Sequence, residues 1–350
     1  MTTINEIAKI AGVSRSTVSR VLNHDKNVSD RTRAKVQAVI DEQGYQPNPV
    51  ARSLISGRTR VLGLVIPMIV SSLFRDPFFS LLAQGISSVC TLNNYTLMLW
   101  LMEPNYEKRT IDNILNNRLI DGIIVASSKI GDPLIEGLIT RKVPLVQIGR
   151  NDCPDVSSVD ADNIHGSVMA VRHLVSIGRK QLATITGQMD LYSGRDRLTG
   201  FKHGLQENNL PICDEKIAFG DFTEESGYTQ TKVLLSKTAF DGLYIASDMM
   251  AFGAIRAINE AGLRIPEDIA TVSFDDIPPA EHYQPPLTTI RQPIRRMGSI
   301  AAQTLIDQLE NNDTGTPRRI ILQTELKIRQ TTIRSEFTNH YSQVPVRSTP

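Results

Sequence analysis

At 350 residues the chain is too long for one ordinary hydrophobic core, and its 41% hydrophobic and 21% charged residues suit a soluble protein of two or three domains. No apolar run approaches the roughly 20 residues of a membrane span. The opening Met1-Thr-Thr-Ile-Asn-Glu has no signal-peptide pattern, and three scattered cysteines (Cys90, Cys153, Cys213) offer no metal spacing, so the expected location is the cytoplasm. The net charge of +1 hides an asymmetry. Residues 1–60 hold ten lysines and arginines against five acids, a net of +5, and the other 290 residues carry −4. A small basic head on a mildly acidic body is the distribution expected where one segment meets phosphates.

Residues 1–45 predict three short helices. Thr3 and Glu6 form a capping box ahead of the apolar stripe Ile4, Ile7, Ala8 and Ala11, which Gly12 ends. Ser14 and Thr17 open a second helix, with Val13, Val18, Val21 and Leu22 turned inward. Ser29 or Asp30 caps a third, which carries Ala34, Val36, Val39 and Ile40 and stops at Gly44. Pro47 and Pro49 then keep Gln46 to Asn48 extended. A helix over Val50–Ser56, ended by Gly57, follows; it is too short to hold alone in water.

From Val61 onward, apolar runs alternate with helical periodicity. The runs are Val61–Ile66, Thr96–Leu101, Gly122–Ala126, Leu145–Ile148, Leu182–Thr186, Gly242–Ala246 and Ala270–Phe274; Phe79–Leu92, His165–Ile177 and Met249–Ala261 are among the helices between them. This βαβα alternation predicts an α/β body of two doubly wound parallel-sheet subdomains behind an all-α head. The polar tail, residues 335–350, is expected to be disordered.

A helix, a Gly-containing turn and a second short helix seat a recognition helix in the DNA major groove. Its exposed positions are Ser14, Arg15, Ser16, Thr17 and Arg20, where hydroxyls reach phosphates or base edges and Arg forks onto guanine. The segment Ile4-Asn-Glu-Ile-Ala-Lys-Ile-Ala-Gly-Val-Ser-Arg-Ser-Thr-Val-Ser-Arg-Val-Leu-Asn23 closely resembles the opening of the LacI/GalR family of transcriptional regulators. Val28-Ser-Asp-Arg-Thr-Arg-Ala-Lys-Val36 and Gly44-Tyr-Gln-Pro-Asn-Pro-Val-Ala-Arg-Ser-Leu54 continue it, and the resemblance runs to about residue 333. It implies base contacts from Arg15 and Ser16 and further base and phosphate contacts from Thr17 and Arg20. Thr3, Asn23, Asn48, Ala51 and Arg52 join the implied DNA-contacting set. Leu54 matches the hinge-helix leucine that wedges into the minor groove, where an apolar wedge unstacks a base step and bends the duplex.

The same resemblance implies a body like periplasmic sugar-binding proteins, with the effector in a cleft. The implied domains are a helix-turn-helix at 1–46, a hinge at 47–60 and an effector-binding and dimerisation domain at 61–334. Its N-subdomain takes about 61–161 and 293–322, and its C-subdomain about 162–292 and 323–334. Strand ends supply the candidate ligand contacts. Phe78 and Phe79 match family positions lining the effector, and Phe222 matches a stacking position; aromatic faces suit a sugar or a purine, although each ring could equally be core. Arg150, after the fourth run, can fork onto two hydroxyls. Asp162 and Asn163 open a helix, which leaves N-capping and ligand contact both open for Asp162. Arg197 matches a ligand-contacting arginine of sugar-responsive members, while Arg195 is open to pairing with Asp196 alone. Asp248 and Asp275 lie just beyond strands, Asp275 as the better hydroxyl acceptor and Asp276 pointing elsewhere. Trp100 reads as core.

This set favours a sugar effector, and the residues at Arg150, Leu191 and Ser193 depart from purine-responsive members. A purine- or nucleoside-responsive member remains an alternative, as does a catabolite-control regulator that answers to a phosphoprotein. An uncharged Phe79–Cys90 stretch gives the latter no electrostatic docking face. No nucleophile elbow, P-loop, HExxH or dinucleotide fingerprint occurs, so neither an enzyme nor a metal or cofactor is expected. A single helix-turn-helix makes too few contacts for tight binding, so a homodimer on a palindromic operator is expected, its seam along Val61–Ile66 and Phe79–Leu92. The tail carries no leucine heptads for a further coiled coil.

Overall fold

The computed structural model describes residues 2–22, 25–45, 58–66, 75–101, 112–114, 116, 119–126, 129–310 and 316–333. The chain divides into two compact units, residues 1–60 and 61–350. The expected hinge helix, with Asn48, Ala51, Arg52 and Leu54, lies outside the described residues, as do Asn23 and the tail.

In the first unit, α1 (Ile4–Ala11) opens on the capping box: the Glu6 amide donates to Thr3 Oγ1 at 3.4 Å, and the Thr3 amide donates to Glu6 Oε2 at 2.7 Å. Gly12 ends it at φ 60, the left-handed conformation a helix C-terminus favours and a side chain resists. In α2 (Arg15–Leu22), the Thr17 amide donates to Ser14 Oγ at 3.1 Å. Ser29, rather than Asp30, caps α3 (Asp30–Glu42). Ile7, Ala8, Ala11, Val18, Val21, Val28, Val36 and Ile40 form one small core, which fixes the angle at which α2 is presented.

The second unit is built on two six-stranded sheets. The first has the order β11-β5-β4-β3-β1-β2, where β1 is Val61–Ile66, β2 Thr96–Leu101, β3 Gly122–Ala126, β4 Leu145–Ile148, β5 Ser157–Ala161 and β11 Arg319–Leu322. The second has the order β12-β10-β9-β8-β6-β7, where β6 is Leu182–Thr186, β7 Ile217–Phe219, β8 Gly242–Ile245, β9 Ala270–Asp275, β10 Thr289–Arg291 and β12 Glu325–Lys327. All neighbours are parallel except the β10–β12 pair. Each sheet winds outward from its first strand and then returns to that strand's other side. The winding therefore reverses between β1 and β3 and again between β6 and β8. Reversals of this kind open a crevice at the carboxyl ends of the strands.

The chain passes between the sheets three times: after Ala161, between Arg291 and Ile294, and between Leu322 and Glu325. Five strands were not anticipated: β5, β7, β10, β11 and β12. They are three to five residues long, too short to stand out as strands, and β5 reads Ser-Ser-Val-Asp-Ala with no apolar run at all. The expected seam strand needs correction. β1 lies inside its sheet, hydrogen-bonded on both sides, with five of its six residues buried. The edge is β2, where Leu99 is half-exposed. Trp100 is half-buried and packs over Gly63 and the core beside β3, so it is a packing residue.

Two helices set how tightly the first sheet is covered. α4 (Pro77–Leu92) crosses α11 (Ile294–Glu310) at Gly85, where an added Cβ would stand 2.0 Å from the carbonyl oxygen of Arg295. Backbone cannot give way as a side-chain tip does. Gly85→Ala should force the helices apart and destabilise the protein by about 1–3 kcal/mol, read as a lower urea midpoint.

Candidate functional site

The second sheet supplies the polar centre of the cleft. Arg197 lies on α7 (Tyr192–Glu207) and is 5% exposed. Its Nε donates to Asn163 Oδ1 at 2.9 Å. Its Nη1 donates to the Ala246 carbonyl at 2.5 Å and to Asp275 Oδ1 at 3.1 Å. The guanidinium also stands 3.8 Å from the ring centre of Phe274 and 5.7 Å from that of Phe222. Asp275 ends β9 and accepts a second bond from Gln292 Nε2 at 2.6 Å. Gln292 sits at the second passage between sheets, and Asn163 begins α6 (Asn163–Ser176) just beyond the first. One guanidinium thus ties together the residues at two passages.

Backbone conformation supports this placement. Phe222, Asp275 and Asp276 adopt φ of 71, 116 and 56, which L-residues hold only where surrounding structure compels them. The Phe222 ring lies directly on Gly187, where an added Cβ would stand 2.0 Å from it. The turn at Asp275 and Asp276 sends their side chains apart: Asp276 accepts from Arg291 at 2.5 Å and from Arg329 at 2.7 Å, outside the cleft.

The first sheet supplies the facing wall. Asp76 caps α4, accepting from the Phe78 amide at 2.9 Å, and burial raises its carboxyl above the usual range. Phe78 and Phe79 meet edge-to-face at 5.1 Å. Between the walls lies a cavity of about 140 Å³, lined by Asp76, Phe78, Phe79 and Lys129 on one side and by Arg197, Asp221, Phe222 and Asp275 on the other, with Gln188, Leu191, Ser193, Ser247 and Gln292. Its lining includes the segments after β1 and β3 in one sheet and after β6 and β8 in the other, the two reversal points, together with residues at the ends of β7, β9 and β10. A smaller cavity of about 70 Å³ adjoins it and includes Arg150, Asp160, Asn163 and Tyr192.

Of the expected ligand residues, Phe78, Phe79, Arg197, Phe222 and Asp275 meet at the larger cavity, and Arg150 and Asn163 at the smaller. Two do not join them. Asp162 is the N-cap of α6, with its Oδ1 accepting from the His165 amide at 3.0 Å. Asp248, the first residue of α9 (Asp248–Glu260), is 0% exposed and turned back into the sheet. It accepts from Ser273 Oγ at 2.5 Å, Thr289 Oγ1 at 2.7 Å and the Ile277 amide at 2.9 Å. Its role is to hold β9, β10 and the chain after β9 together. Arg195 also differs from expectation: it donates to the Met189 carbonyl, and Asp196 pairs with Arg150 at 3.3 Å. The unanticipated lining residues Lys129, Gln188, Asp221 and Ser247 all follow strands. Applying the strand-end rule to every run would have found Lys129, Gln188 and Ser247, whereas Asp221 follows β7, which was too short to be read as a strand.

Burial, with the neighbouring carboxylates, has a measurable consequence. The Asp248 carboxyl is pushed up to about 8, first by burial and then by Asp275; Asp275 is pushed up to about 7, chiefly by burial, against the pull of Arg197. Unfolded, both titrate near 3.8. Between those limits the folded protein holds more protons than the unfolded chain, so this share of stability is present at low pH and lost as pH rises through about 7 to 8. The urea midpoint should fall between pH ~5.5 and pH ~8.5, and Asp248→Asn should flatten that fall. An equally steep fall in the variant would remove Asp248 from the explanation.

In the first unit, Ser14, Arg15, Ser16 and Arg20 are exposed at the start of α2 and along it, and Thr17 is half-buried. Ser14 Oγ lies 2.7 Å from Ser16 Oγ and 2.8 Å from Thr17 Oγ1, and Arg20 is 3.9 Å from Asp25. The Thr3 hydroxyl is engaged in capping α1. Among the described residues, no helix is long and apolar enough to cross a membrane, and no cluster of metal ligands occurs.

Comparison with known proteins agrees with this arrangement. Residues 3–48 match the family described as bacterial regulatory proteins, lacI family, and residues 171–332 match a periplasmic binding protein-like domain. The chain is 35% identical over 332 residues to the HTH-type transcriptional regulator CelR of Thermobifida fusca, covering 94% of this chain and 97% of that one. It is 35% identical over 316 residues to the HTH-type transcriptional repressor PurR of Edwardsiella ictaluri, covering 88% and 91%. A solved CelR–cellobiose complex superposes with a TM-score of 0.76 at 33% identity, covering 95% of this chain and 100% of that one. The lac repressor dimer bound to operator and an anti-inducer superposes with a TM-score of 0.82 at 29% identity, covering 95% and 99%. An exposed hydroxyl- and arginine-bearing helix joined to a two-sheet body with a buried Arg–Asp centre is thus the plan of a regulator and not of an enzyme, and the chain belongs to the lacI family of DNA-binding bacterial transcriptional regulators.

Proposed function

We propose that the protein represses genes of carbohydrate use, and that a small sugar in the body's cleft controls how tightly the head holds its operator. The observation that carries this reading is the Arg197–Asp275 pair set between aromatic faces: a planar donor fork and a carboxylate acceptor serve adjacent ring hydroxyls, while Phe222 and Phe78 suit the apolar face of a sugar. The cellobiose complex of CelR gives the reading external support. In this reading Arg15 and Ser16 read bases, Thr17 and Arg20 add contacts, and residues 47–60, with Leu54 as minor-groove wedge, link head to body. The body, residues 61–334, pairs two chains along α4 and the β2 edge, and the protein works in the cytoplasm beside its operator.

A thermal-shift screen against sugars, sugar phosphates and purines tests the effector class. A ligand at 100 times its dissociation constant adds about 2.7 kcal/mol, so a sugar hit should be plain, and the same sugar should change binding to an operator duplex. A melting curve moved only by purines would replace the sugar with a base, in line with the PurR relatives.

A further inference from the structure

The smaller cavity extends the larger one, and the two have Phe78, Leu191, Ser193, Arg197 and Gln292 as common walls. Resting on the sugar reading above, we infer that the effector is an uncharged glycoside of at least two units. One ring fills the larger lobe against Arg197 and Asp275, and the second unit reaches into the smaller lobe at Arg150, Asp160 and Tyr192.

Size leaves room for part of a second unit. A cavity of about 140 Å³ holds about ten water-sized spheres, the room of one ring with its hydroxyls, and the adjoining 70 Å³ takes about half of another. The smaller lobe is polar and oriented. The Arg150 guanidinium lies 4.8 Å from the centre of the Tyr192 ring and 3.3 Å from Asp196, which fixes its plane while its side chain stays half-exposed. Asp160 receives both its hydrogen bonds on Oδ1, from the Ala161 amide at 2.8 Å and Asn163 Nδ2 at 3.1 Å. Oδ2 takes none from the described residues and is open as an acceptor for a ring hydroxyl. Because Arg150 is half-exposed, the second unit runs outward toward solvent.

Charge disfavours a phosphorylated or acidic sugar. Each cation lining the two lobes already faces a carboxylate: Arg197 faces Asp275 at 3.1 Å, Arg150 faces Asp196 at 3.3 Å and Lys129 faces Asp190 at 3.1 Å. Asp76, Asp160 and Asp221 line the lobes without a described cation bridging them. An anionic ligand would enter a surplus of acid, whereas phosphate sites place unspent arginines or lysines against the oxygens.

The test is calorimetric titration of the full-length protein with glucose, galactose and ribose, with the neutral disaccharides cellobiose, maltose and lactose, and with glucose 6-phosphate. At least one disaccharide should bind ten times more tightly than any single ring, and the phosphate should bind no better than glucose. Arg150→Gln should cut the ratio of disaccharide to monosaccharide affinity at least tenfold. A single ring that binds as tightly as every disaccharide, or an Arg150→Gln ratio equal to the native one, overturns the second lobe. Tighter binding of the phosphate overturns the uncharged effector, and both results leave the sugar reading standing. A protein that binds none of the sugars, while a purine binds, fails at that earlier reading instead.

Discussion

Arg197→Ala is expected to weaken effector binding by at least about 100-fold and to leave a repressor that holds its operator but no longer answers the sugar. The proposed sugar would lose charge-assisted hydrogen bonds of about 1.5–3 kcal/mol each, and about 2.8 kcal/mol is already two orders of magnitude. The variant also deprives Asp275 of the cation that pulls its carboxyl down, which leaves burial and Asp76 to keep it protonated. Neutralisation spares the fold the full cost of a lone buried charge. Arg197→Lys separates the two roles: the charge returns and most of the stability with it, but one ammonium cannot reproduce bonds from Nε to Asn163 and from Nη1 to Ala246 and Asp275. Calorimetry with the sugar found by thermal shift reads affinity, and operator anisotropy with and without that sugar reads the response. Native affinity in Arg197→Ala would take this side chain out of the effector site.

Asp248→Ala should cause the larger loss of stability, about 3–5 kcal/mol. The substitution strands three buried donors at once, the hydroxyls of Ser273 and Thr289 and the amide of Ile277, at about 1–3 kcal/mol for each left unsatisfied. Ser273 has a partial refuge in the Thr288 carbonyl at 3.4 Å, whereas the Ile277 amide has no second acceptor among the described residues. Asp248→Asn keeps one acceptor oxygen and should lose less. Urea unfolding of the full-length protein measures both. A change below about 1 kcal/mol for the alanine variant would show that the three strand-end segments hold together without the carboxylate.

These two residues also mark how far sequence reaches. Arg197 was legible through the family resemblance, and Asp275 through its place at the end of an apolar run. Asp248 satisfied the strand-end rule as well, but it is the first residue of a helix that starts without a loop, and its side chain turns back under the sheet. The apolar runs marked seven strands, six buried ones and the edge strand β2, and the capping residues Thr3 and Ser29 marked their helices. Strand order was not legible. A run such as Val61–Ile66 looks the same in the middle of a sheet as at its edge, and its place depends on the side to which later strands return. Gln292 had no signal of its own, because its importance comes from Asp275 and Arg197, both distant in sequence.

The three passages between the sheets have a consequence for how such a protein can be taken apart. Residues 162–292 supply five strands of the second sheet as one insertion, but its sixth strand and the first sheet's last strand come from the chain beyond them. No single cut within the body yields two halves with complete sheets. A cut near residue 60 does separate two compact units. Exchange of parts by simple end-to-end fusion is therefore open to the DNA-reading head and closed to the lobes of the sensor. New operators can be acquired by joining a different head, whereas new effectors have to be acquired residue by residue around a cleft that is inherited whole.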